Sequence, residues 1–139
     1  MKYFIDTNLI LDAFERDDRD AQNRLKTILE DESNEIFYNG LVYTETLRAV
    51  LDENLFAILK SSFDNFTWID INQQIYKDTK KFSRFCRSRG LKVAKGKCEL
   101  IDMLHFMTTK YYNLELITSD GDFDKLEIAY KEFIKEDNL

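Results

Sequence analysis

The sequence predicts an α/β fold, a three-layer α/β/α arrangement with a central, mostly parallel sheet. Short apolar stretches of strand length alternate along the chain with longer stretches in which apolar residues recur at helical spacing. Strands that alternate with helices favour a parallel sheet covered on both faces. The chain has 139 residues, of which 44% are hydrophobic, and that is enough for one domain with a substantial core. We therefore expect a single domain over residues 1–139.

The elements are predicted in order from their periodicity. Strands are expected at residues 2–5, 36–38, 66–71 and 114–118. Helices are expected at residues 8–14, 20–30 and 41–51, from residue 52 onward, between residues 72 and 90, and at residues 99–112. In the helix that begins after Asn72, the inner face is formed by Ile75, Thr79, Phe82 and Cys86. In the last helix, Ile101, Leu104 and Phe106 are expected to point inward. A basic loop containing glycine separates these two helices.

The basic residues are concentrated in one segment. The whole chain has a net charge of −6, but residues 77–97 contain nine Lys or Arg residues and one acid. A solvated basic helix is the ordinary explanation of such a run. The same run could instead guide a nucleic-acid backbone, because phosphate contacts supply much of the affinity for nucleic acid. The candidate nucleic-acid-binding residues are Lys80, Lys81, Arg84, Arg87, Lys92, Lys95 and Lys97.

Several protein classes are excluded by composition. No apolar run approaches the roughly twenty residues that span a bilayer. The first twelve residues contain acids too early for a signal peptide, so we expect a cytoplasmic protein. Cys86 and Cys98 have neither a second cysteine pair nor a histidine cluster around them. We expect two reduced thiols, with neither a zinc site nor a disulfide framework.

Four separated acids form the candidate site. Asp6 ends the first predicted strand, and Asp120 follows the fourth. In a parallel sheet both side chains should emerge at the carboxyl edge, where α/β proteins bind their ligands. Glu45 lies early in the helix after the second strand, and Asp102 lies in the first turn of the helix before the fourth. Asp122 would add a fifth acid.

Carboxylates that converge in this way call for a cation. At about 5 Å and an effective dielectric constant near 20, each like-charged pair repels by roughly 3 kcal/mol. Oxygen ligands without nitrogen or sulfur select Mg²⁺ or Mn²⁺ over zinc. One or two such ions would activate water and polarise a phosphodiester oxygen. The pattern therefore predicts a metal-dependent phosphodiesterase.

Each acid also has an ordinary structural explanation. An aspartate after a strand, such as Asp6, is commonly a turn former or helix cap. Most helical glutamates are solvated, and Asp102 could simply face a helix dipole. Asp120 and Gly121 form a common turn dipeptide. Only the joint placement of the acids favours a functional site.

Two motifs carry a family resemblance that covers nearly the whole chain. The opening Phe4-Ile5-Asp6-Thr7-Asn8 resembles the strand-Asp-Thr-Asn signature of PIN domains. The later segment from Thr118 to Phe123 is similar to the Thr-x-Asp-x-Asp-Phe motif of the same family. Between them, Thr44-Glu45 fits the second acid, and Asp102 precedes Thr118 at the characteristic distance of the third. The helix of Asp102 departs from the family's usual small residues, which bears on substrate fit and packing.

The resemblance implies a PIN-like fold and an Mg²⁺- or Mn²⁺-dependent ribonuclease. It implies that Asp6, Glu45, Asp102 and Asp120 are the catalytic metal ligands and that Asp122 joins them directly or through water. Residues that would orient the ligands or the phosphate are Thr7, Asn8, Thr118 and Ser119. Stand-alone PIN domains of this size resemble the VapC-type toxins of toxin–antitoxin pairs. The implied partners are an RNA substrate and a separately encoded protein antitoxin that occludes the acidic cleft, and a homodimer is left open.

Two other functions remain as alternatives. A phosphatase of the haloacid-dehalogenase type also places an Asp after its first strand, but it needs a second Asp two residues later, where this chain has Asn8. A catalytically silent PIN fold that binds RNA or protein is the second alternative. Intact acids at all four positions weigh against it, because a silent module has no reason to retain their repulsion.

Overall fold

The computed structural model describes residues 1–93 and 99–137. The elements follow in the order β1 Lys2–Ile5, α1 Thr7–Phe14, α2 Arg19–Glu30, β2 Glu35–Tyr38, α3 Gly40–Ala49, α4 Glu53–Phe63, β3 Thr67–Trp68, α5 Gln73–Ser88, α6 Glu99–Tyr112, β4 Glu115–Ile117 and α7 Asp122–Asp137. The chain forms two compact units. The sheet unit consists of Met1–Asp70 and Asn113–Ser119, and the helical unit consists of Ile71–Tyr112 and Asp120–Leu139.

The sheet unit contains a four-stranded parallel sheet in the order β3-β2-β1-β4. Strand β1 pairs with β2 through Phe4 and Phe37, and with β4 through Ile5 and Ile117. Among the described strands, β3 pairs with β2 alone, so it forms an edge of this sheet. The predicted α/β class with a parallel sheet is confirmed. The single-domain boundary at residues 1–139 stays a prediction.

Four helices, α2 to α5, begin after residues whose side chains accept from exposed backbone amides. Asn39 accepts from the amide of Val42 at the start of α3, and Asn72 accepts from the amide of Ile75 at the start of α5. Asp18 and Asp52 cap α2 and α4 in the same way. Each such cap contributes about 1 kcal/mol, because the first four amides of a helix have no partner within it.

The core of the sheet unit lies where β1 meets helices α1, α3 and α4. Phe4 of β1, Leu9 of α1, Val42 of α3 and Leu59 of α4 are all at most 2% exposed and belong to one apolar cluster. Burying each of these side chains contributes about 1.5–3 kcal/mol. This packing holds β1 in the interior of the unit with its carboxyl end at the start of α1.

The helical unit contains a cluster of packed aromatic rings. The ring centroid of Phe82 on α5 lies 5.9 Å from that of Phe106 on α6, 5.6 Å from that of Tyr130 and 5.3 Å from that of Phe133, both on α7. Aromatic pairs at these separations add to the hydrophobic gain of burial. The predicted inner face of α5 is confirmed, because the residues Ile75, Thr79, Phe82 and Cys86 are all buried.

Three details differ from the predictions. Strand β3 spans two residues where six were expected, since only Thr67 and Trp68 pair with β2. Ile101 is half-buried, so the apolar face of α6 begins later than expected, at Met103. Helix α7 was not predicted, although Phe123, Leu126 and Phe133 recur at helical spacing and are buried.

In the part of the chain described, no helix is both long and apolar enough to cross a membrane.

Candidate functional site

Asp6 lies at the carboxyl end of the interior strand β1. Its side chain is only 4% exposed, and its backbone amide donates to the carbonyl of Ile117 at 3.0 Å. The Thr118 hydroxyl donates to Oδ2 of Asp6 at 2.8 Å. This contact follows from topology, because parallel pairing of β1 with β4 places the ends of both strands side by side. The side chains of Asp6 and Thr118 therefore meet at the carboxyl edge of the sheet.

The two residues that follow β4 are held by side chains from α1 and α2. The Arg24 guanidinium donates to the carbonyl oxygen of Thr118 at 2.7 Å. The Ser119 hydroxyl donates to Oδ2 of Asp12 at 2.5 Å, and Arg16 donates to Oδ1 of the same carboxylate at 2.6 Å. The hydrogen bond from Ser119, followed by that from Arg16, lowers the pKa of Asp12 below its usual value. Hydrogen bonds thus hold the segment directly before Asp120 at three atoms: the Thr118 hydroxyl, the Thr118 carbonyl oxygen and the Ser119 hydroxyl.

Sequence reasoning missed Asp12 and Arg24. The pairing of Asp12 with Arg16 has a sequence signal, because residues four apart face each other on a helix. The contact of Arg24 with Thr118 has none, since it joins residues 94 positions apart. Only the packing of α2 beside β4 within the sheet unit brings these groups together.

Glu45 lies on α3, half-buried, in the same unit as Asp6. Beside it, Thr46 is fully buried, and Thr7 next to Asp6 is 7% exposed. In the part of the chain described, the hydroxyl oxygens of Thr7 and Thr46 have no hydrogen-bond partner. Such orphaned oxygens in a folded interior call for a further ligand or an ordered water. Asn8, by contrast, is exposed.

The remaining candidate acids belong to the helical unit. Asp102 is half-buried in the first turn of α6, as predicted. Oδ1 of Asp120 accepts from the amide of Asp122 at 2.9 Å, so Asp120 also serves as a turn former before α7. The Asp122 carboxylate lies 3.6 Å from the ammonium of Lys125. Asp120 therefore has the turn-forming role that its sequence context indicated. That role leaves a functional role for the same side chain open.

Neither unit, taken by itself, contains a complete metal site in its described residues. No group of three or more His, Cys, Asp or Glu side chains there is arranged to hold an ion. The predicted ligand set takes Asp6 and Glu45 from the sheet unit and Asp102, Asp120 and Asp122 from the helical unit.

The basic face of α5 forms an open groove of about 740 Å³ in the helical unit. Phe85 and Phe133 are its apolar lining residues, and its cationic lining consists of Lys80, Lys81, Arg84 and Arg87. Among residues 1–93 and 99–136, whose side chains the structure describes, these four cations form no salt bridge. Lys92 is exposed after the end of α5, whereas Lys95 and Lys97 lie outside the described residues.

The sequence matches the model of the PIN domain family over residues 3–129. The chain belongs to the PIN domain family. This membership decides against the haloacid-dehalogenase alternative and agrees with the motifs that contain Asp6 and Asp120. A search of curated proteins found no match.

Solved structures share the PIN fold of this chain. VapBC2 from Rickettsia felis, bound to a DNA fragment from its promoter, matches with a TM-score of 0.68 and 18% identity over 90% of this chain and 92% of that chain. VapBC-1 from nontypeable Haemophilus influenzae matches with a TM-score of 0.67 and 17% identity over 91% of this chain and 93% of that chain. A toxin–antitoxin complex from Klebsiella pneumoniae matches with a TM-score of 0.62 and 23% identity over 87% and 89%.

Proposed function

We propose that this PIN domain is a divalent-metal-dependent endoribonuclease that hydrolyses RNA phosphodiester bonds in the cytoplasm. The observation that carries the proposal is the buried Asp6 carboxylate at the end of β1, oriented by the Thr118 hydroxyl. A buried carboxylate is expensive unless charge and hydrogen bonds compensate it. Its position at the carboxyl edge of a parallel sheet is where α/β proteins place ligands.

The donor set fits a hard divalent cation. All the candidate ligands are carboxylates, which select Mg²⁺ or Mn²⁺. The orphaned hydroxyls of Thr7 and Thr46 support the fit, because each adjoins a candidate ligand and could accept from an ion's water shell. We propose that the metal is held by Asp6, Glu45, Asp102 and Asp120, with Asp122 joining directly or through water. When bound, such an ion lowers the pKa of a water molecule and polarises a phosphodiester oxygen.

The chain's own residues orient this chemistry. Thr118 fixes the rotamer of Asp6 by its hydrogen bond, as residues behind metal ligands commonly do. Asp12, through Ser119, and Arg24, through the Thr118 carbonyl, hold the segment that leads to Asp120. We assign Thr7, Asn8, Thr118 and Ser119 to orienting the ligands or the phosphate.

The RNA backbone is proposed to contact the basic groove of α5. The cations Lys80, Lys81, Arg84 and Arg87 line it without partner carboxylates in the described chain, and Lys92 is exposed beyond it. Lys95 and Lys97 belong to this proposal from sequence alone. Replacing Arg84 and Arg87 by Glu should weaken binding of every RNA and flatten its salt dependence, because fewer counterions are released. Unchanged affinity and salt slope would contradict this role.

A protein antitoxin is the proposed partner. The solved relatives are described as VapBC or toxin–antitoxin complexes, and the sheet unit has an apolar groove of about 140 Å³ between α1, α2 and α4. Phe14 and Leu29 line it, 39% and 51% exposed. Exposed apolar grooves mark protein interaction sites. Phe14→Asp should disrupt a complex with the product of the neighbouring open reading frame. Ile58→Asp, at a more exposed position (55%) outside the groove, should not.

The decisive test of the nuclease proposal uses Asp102→Asn. The variant retains the size of the side chain and removes one metal-binding charge. We expect Mn²⁺-dependent cleavage of mixed RNA by the wild type, none with chelator, and none by Asp102→Asn. Glu99→Gln is the matched control, because Glu99 lies in the same first turn of α6 and is not a proposed ligand. Full activity of a folded Asp102→Asn protein refutes the ligand assignment.

Thermal unfolding separates an active metal site from a silent PIN fold. Saturating Mn²⁺ should stabilise the wild type by about 2.7 kcal/mol at a hundred times the dissociation constant. The gain should be smaller in Asp102→Asn, whose metal-free form should be the more stable of the two because one repulsive charge is gone. If Mn²⁺ does not stabilise the wild type and the wild type does not cleave RNA, the protein is a catalytically silent PIN fold.

A further inference from the structure

Helices α1 and α2 of the sheet unit form an open groove of about 520 Å³. We call it the α1–α2 groove, and its lining residues are Ala13, Phe14, Asp17, Gln22, Leu25, Lys26, Leu29 and Glu30. All of them belong to these two helices or to the turn between them. Phe14, Leu25 and Leu29 also line the apolar groove of about 140 Å³ where a protein partner is proposed to dock. A side chain that enters the α1–α2 groove therefore contacts both helices.

The same two helices hold the segment that follows β4. Asp12 of α1 accepts from the Ser119 hydroxyl, and Arg24 of α2 donates to the Thr118 carbonyl at 2.7 Å. Thr118 and Ser119 are neighbours in the chain, so a short stretch of backbone with a planar peptide bond joins the two oxygens. The segment therefore bridges α1 and α2. The next residue, Asp120, is a proposed metal ligand.

On each helix, the groove and the hydrogen bond to the segment lie on different sides. Successive residues of an α-helix are rotated by about 100°. Phe14 therefore lies about 160° around α1 from Asp12, and Leu29 lies about 140° around α2 from Arg24. The groove lining includes neither Asp12 nor Arg24. An occupant of the groove thus acts on these two residues by moving the helices that carry them.

Gln22 joins the two helices at the groove. Its Nε2 donates to the Ala13 carbonyl at 2.9 Å and to Oδ1 of Asp17 at 3.0 Å. Asp17 lies in the turn between the helices at φ +58°, a backbone conformation that is unfavourable for residues other than glycine. An entering side chain that displaces the Gln22 carboxamide removes both hydrogen bonds. Packed helices can then slide by small amounts relative to each other.

We propose that an apolar side chain of the protein partner, inserted into the α1–α2 groove, moves α1 relative to α2 and releases the segment of Thr118 and Ser119. The inference rests on the proposed function and adds to it a way for the partner to inhibit the nuclease without covering its acids. A shift of about 1 Å lengthens at least one of the two hydrogen bonds beyond the range in which it contributes. The Asp120 carboxylate then loses its fixed approach.

The groove favours an apolar protein side chain over a nucleic acid. Phe14 and Leu29 expose 39% and 51% of their surface, and the lining also includes Ala13 and Leu25. Exposed apolar surface of this kind gains from contact with another apolar group. The sheet unit has 16 Asp and Glu residues and seven Lys and Arg residues, so it repels phosphates.

A reversible chemical modification of the groove tests the proposal. In a Cys98→Ser background, Leu29→Cys introduces a thiol into the groove, while the buried Cys86 thiol stays unreactive in the folded protein. Methanethiosulfonate reagents attach a methyl or a benzyl group to the introduced thiol, and a reductant removes either group. Ile58→Cys, on α4 and outside the groove, carries the same groups as the matched control.

The benzyl group on Leu29→Cys should change both the segment and the activity. We expect it to shift the backbone amide resonances of Thr118 and Ser119, to raise the Mn²⁺ concentration for half-maximal RNA cleavage and to lower kcat by up to about 100-fold. The methyl group leaves the side chain close to leucine in size and should have little effect. Reductant should reverse each change, and neither group should act on Ile58→Cys.

Two further variants test the path between groove and segment. Arg24→Met removes one of the two hydrogen bonds, so the benzyl group on Leu29→Cys should lower kcat less in this background than in its absence. If circular dichroism shows that the benzyl-labelled protein does not fold, Gln22→Ala replaces it. That variant removes the bonds between the helices without added bulk and should shift the resonances of Thr118 and Ser119.

The outcomes distinguish this inference from the function on which it rests. Unchanged resonances of Thr118 and Ser119 in a folded, benzyl-labelled protein overturn the inference and leave the nuclease proposal intact. Shifted resonances with an unchanged kcat and Mn²⁺ requirement also overturn it, and so do equal effects on Ile58→Cys or a full effect in the Arg24→Met background. A wild type that cleaves no RNA overturns the nuclease function, and with it the inhibition proposed here.

Discussion

Ser119→Ala tests the network that holds the end of β4. The Ser119 hydroxyl donates to Asp12 at 2.5 Å, and that carboxylate keeps its second contact with Arg16. A hydrogen bond to a charged group contributes about 1.5–3 kcal/mol. The Asp12 side chain is 20% exposed and remains paired with Arg16. We therefore expect Ser119→Ala to lower the free energy of unfolding by about 1–1.5 kcal/mol near pH 7, at or below the lower end of that range. For a chain of this length that corresponds to a fall in Tm of about 3–6 °C.

The loss should depend on pH with a defined sign. The hydrogen bond from Ser119 is the largest cause that lowers the pKa of Asp12 below 3.8. A lowered folded pKa contributes stability above the unfolded value, and that stability is lost as pH falls through the folded pKa. In Ser119→Ala the pKa of Asp12 should return toward 3.8. The stability difference between variant and wild type should therefore be constant from about pH 7 to pH 5 and shrink below about pH 4.

Urea unfolding of both proteins across this pH range measures the difference. Ser62→Ala is the matched control, because the Ser62 hydroxyl donates to the backbone carbonyl of Ile58 rather than to a carboxylate. Its effect should be small and independent of pH. An unchanged stability of Ser119→Ala near pH 7, or a deficit that persists undiminished at about pH 3, would refute the reasoning.

Three further predictions concern the helical unit. Phe82→Ala should lower the free energy of unfolding by about 3–5 kcal/mol, measured by urea titration, because a fully buried ring leaves a cavity among its aromatic neighbours. In a Cys98→Ser background, the Cys86 thiol should react with a thiol reagent only after unfolding, since burial raises its pKa to about 11. A double-mutant cycle of Lys110→Met and Glu127→Gln should give a coupling of about 1 kcal/mol or less that weakens in salt, because both partners are part-exposed.

Much of this fold was predictable from local sequence, because periodicity and caps act over a few residues. Asn72 starts α5 and Gly90, at φ +65°, follows its end, where the sequence placed the helix boundaries. Strand β3 was predicted too long because its aromatic residues have high strand propensity, but pairing with β2 ends after Trp68. Helix α7 had a readable apolar spacing through Phe123, Leu126 and Phe133 that the prediction did not use.

Some features of the candidate site were likewise predictable from the sequence, whereas others were decided by the tertiary structure. The motif containing Asp6 was identifiable because a hydrophobic strand followed by Asp-Thr-Asn is a local pattern, and the family match agrees with it. The metal assignments for Asp6, Glu45, Asp102, Asp120 and Asp122 stay predictions. What Ser119 contacts was not predictable, because its partner Asp12 lies 107 positions away.

The sequence by itself determined the α/β class, the approximate starts of helices α1 to α6 and the acid at the end of the first strand, because these depend on neighbours along the chain. The tertiary structure alone decided the strand order β3-β2-β1-β4. That order places Thr118 beside Asp6 and the indole of Trp68 at the edge of the sheet. The physical reason is that parallel strands pair through backbone hydrogen bonds common to all residues, so the sequence of each strand does not name its neighbour.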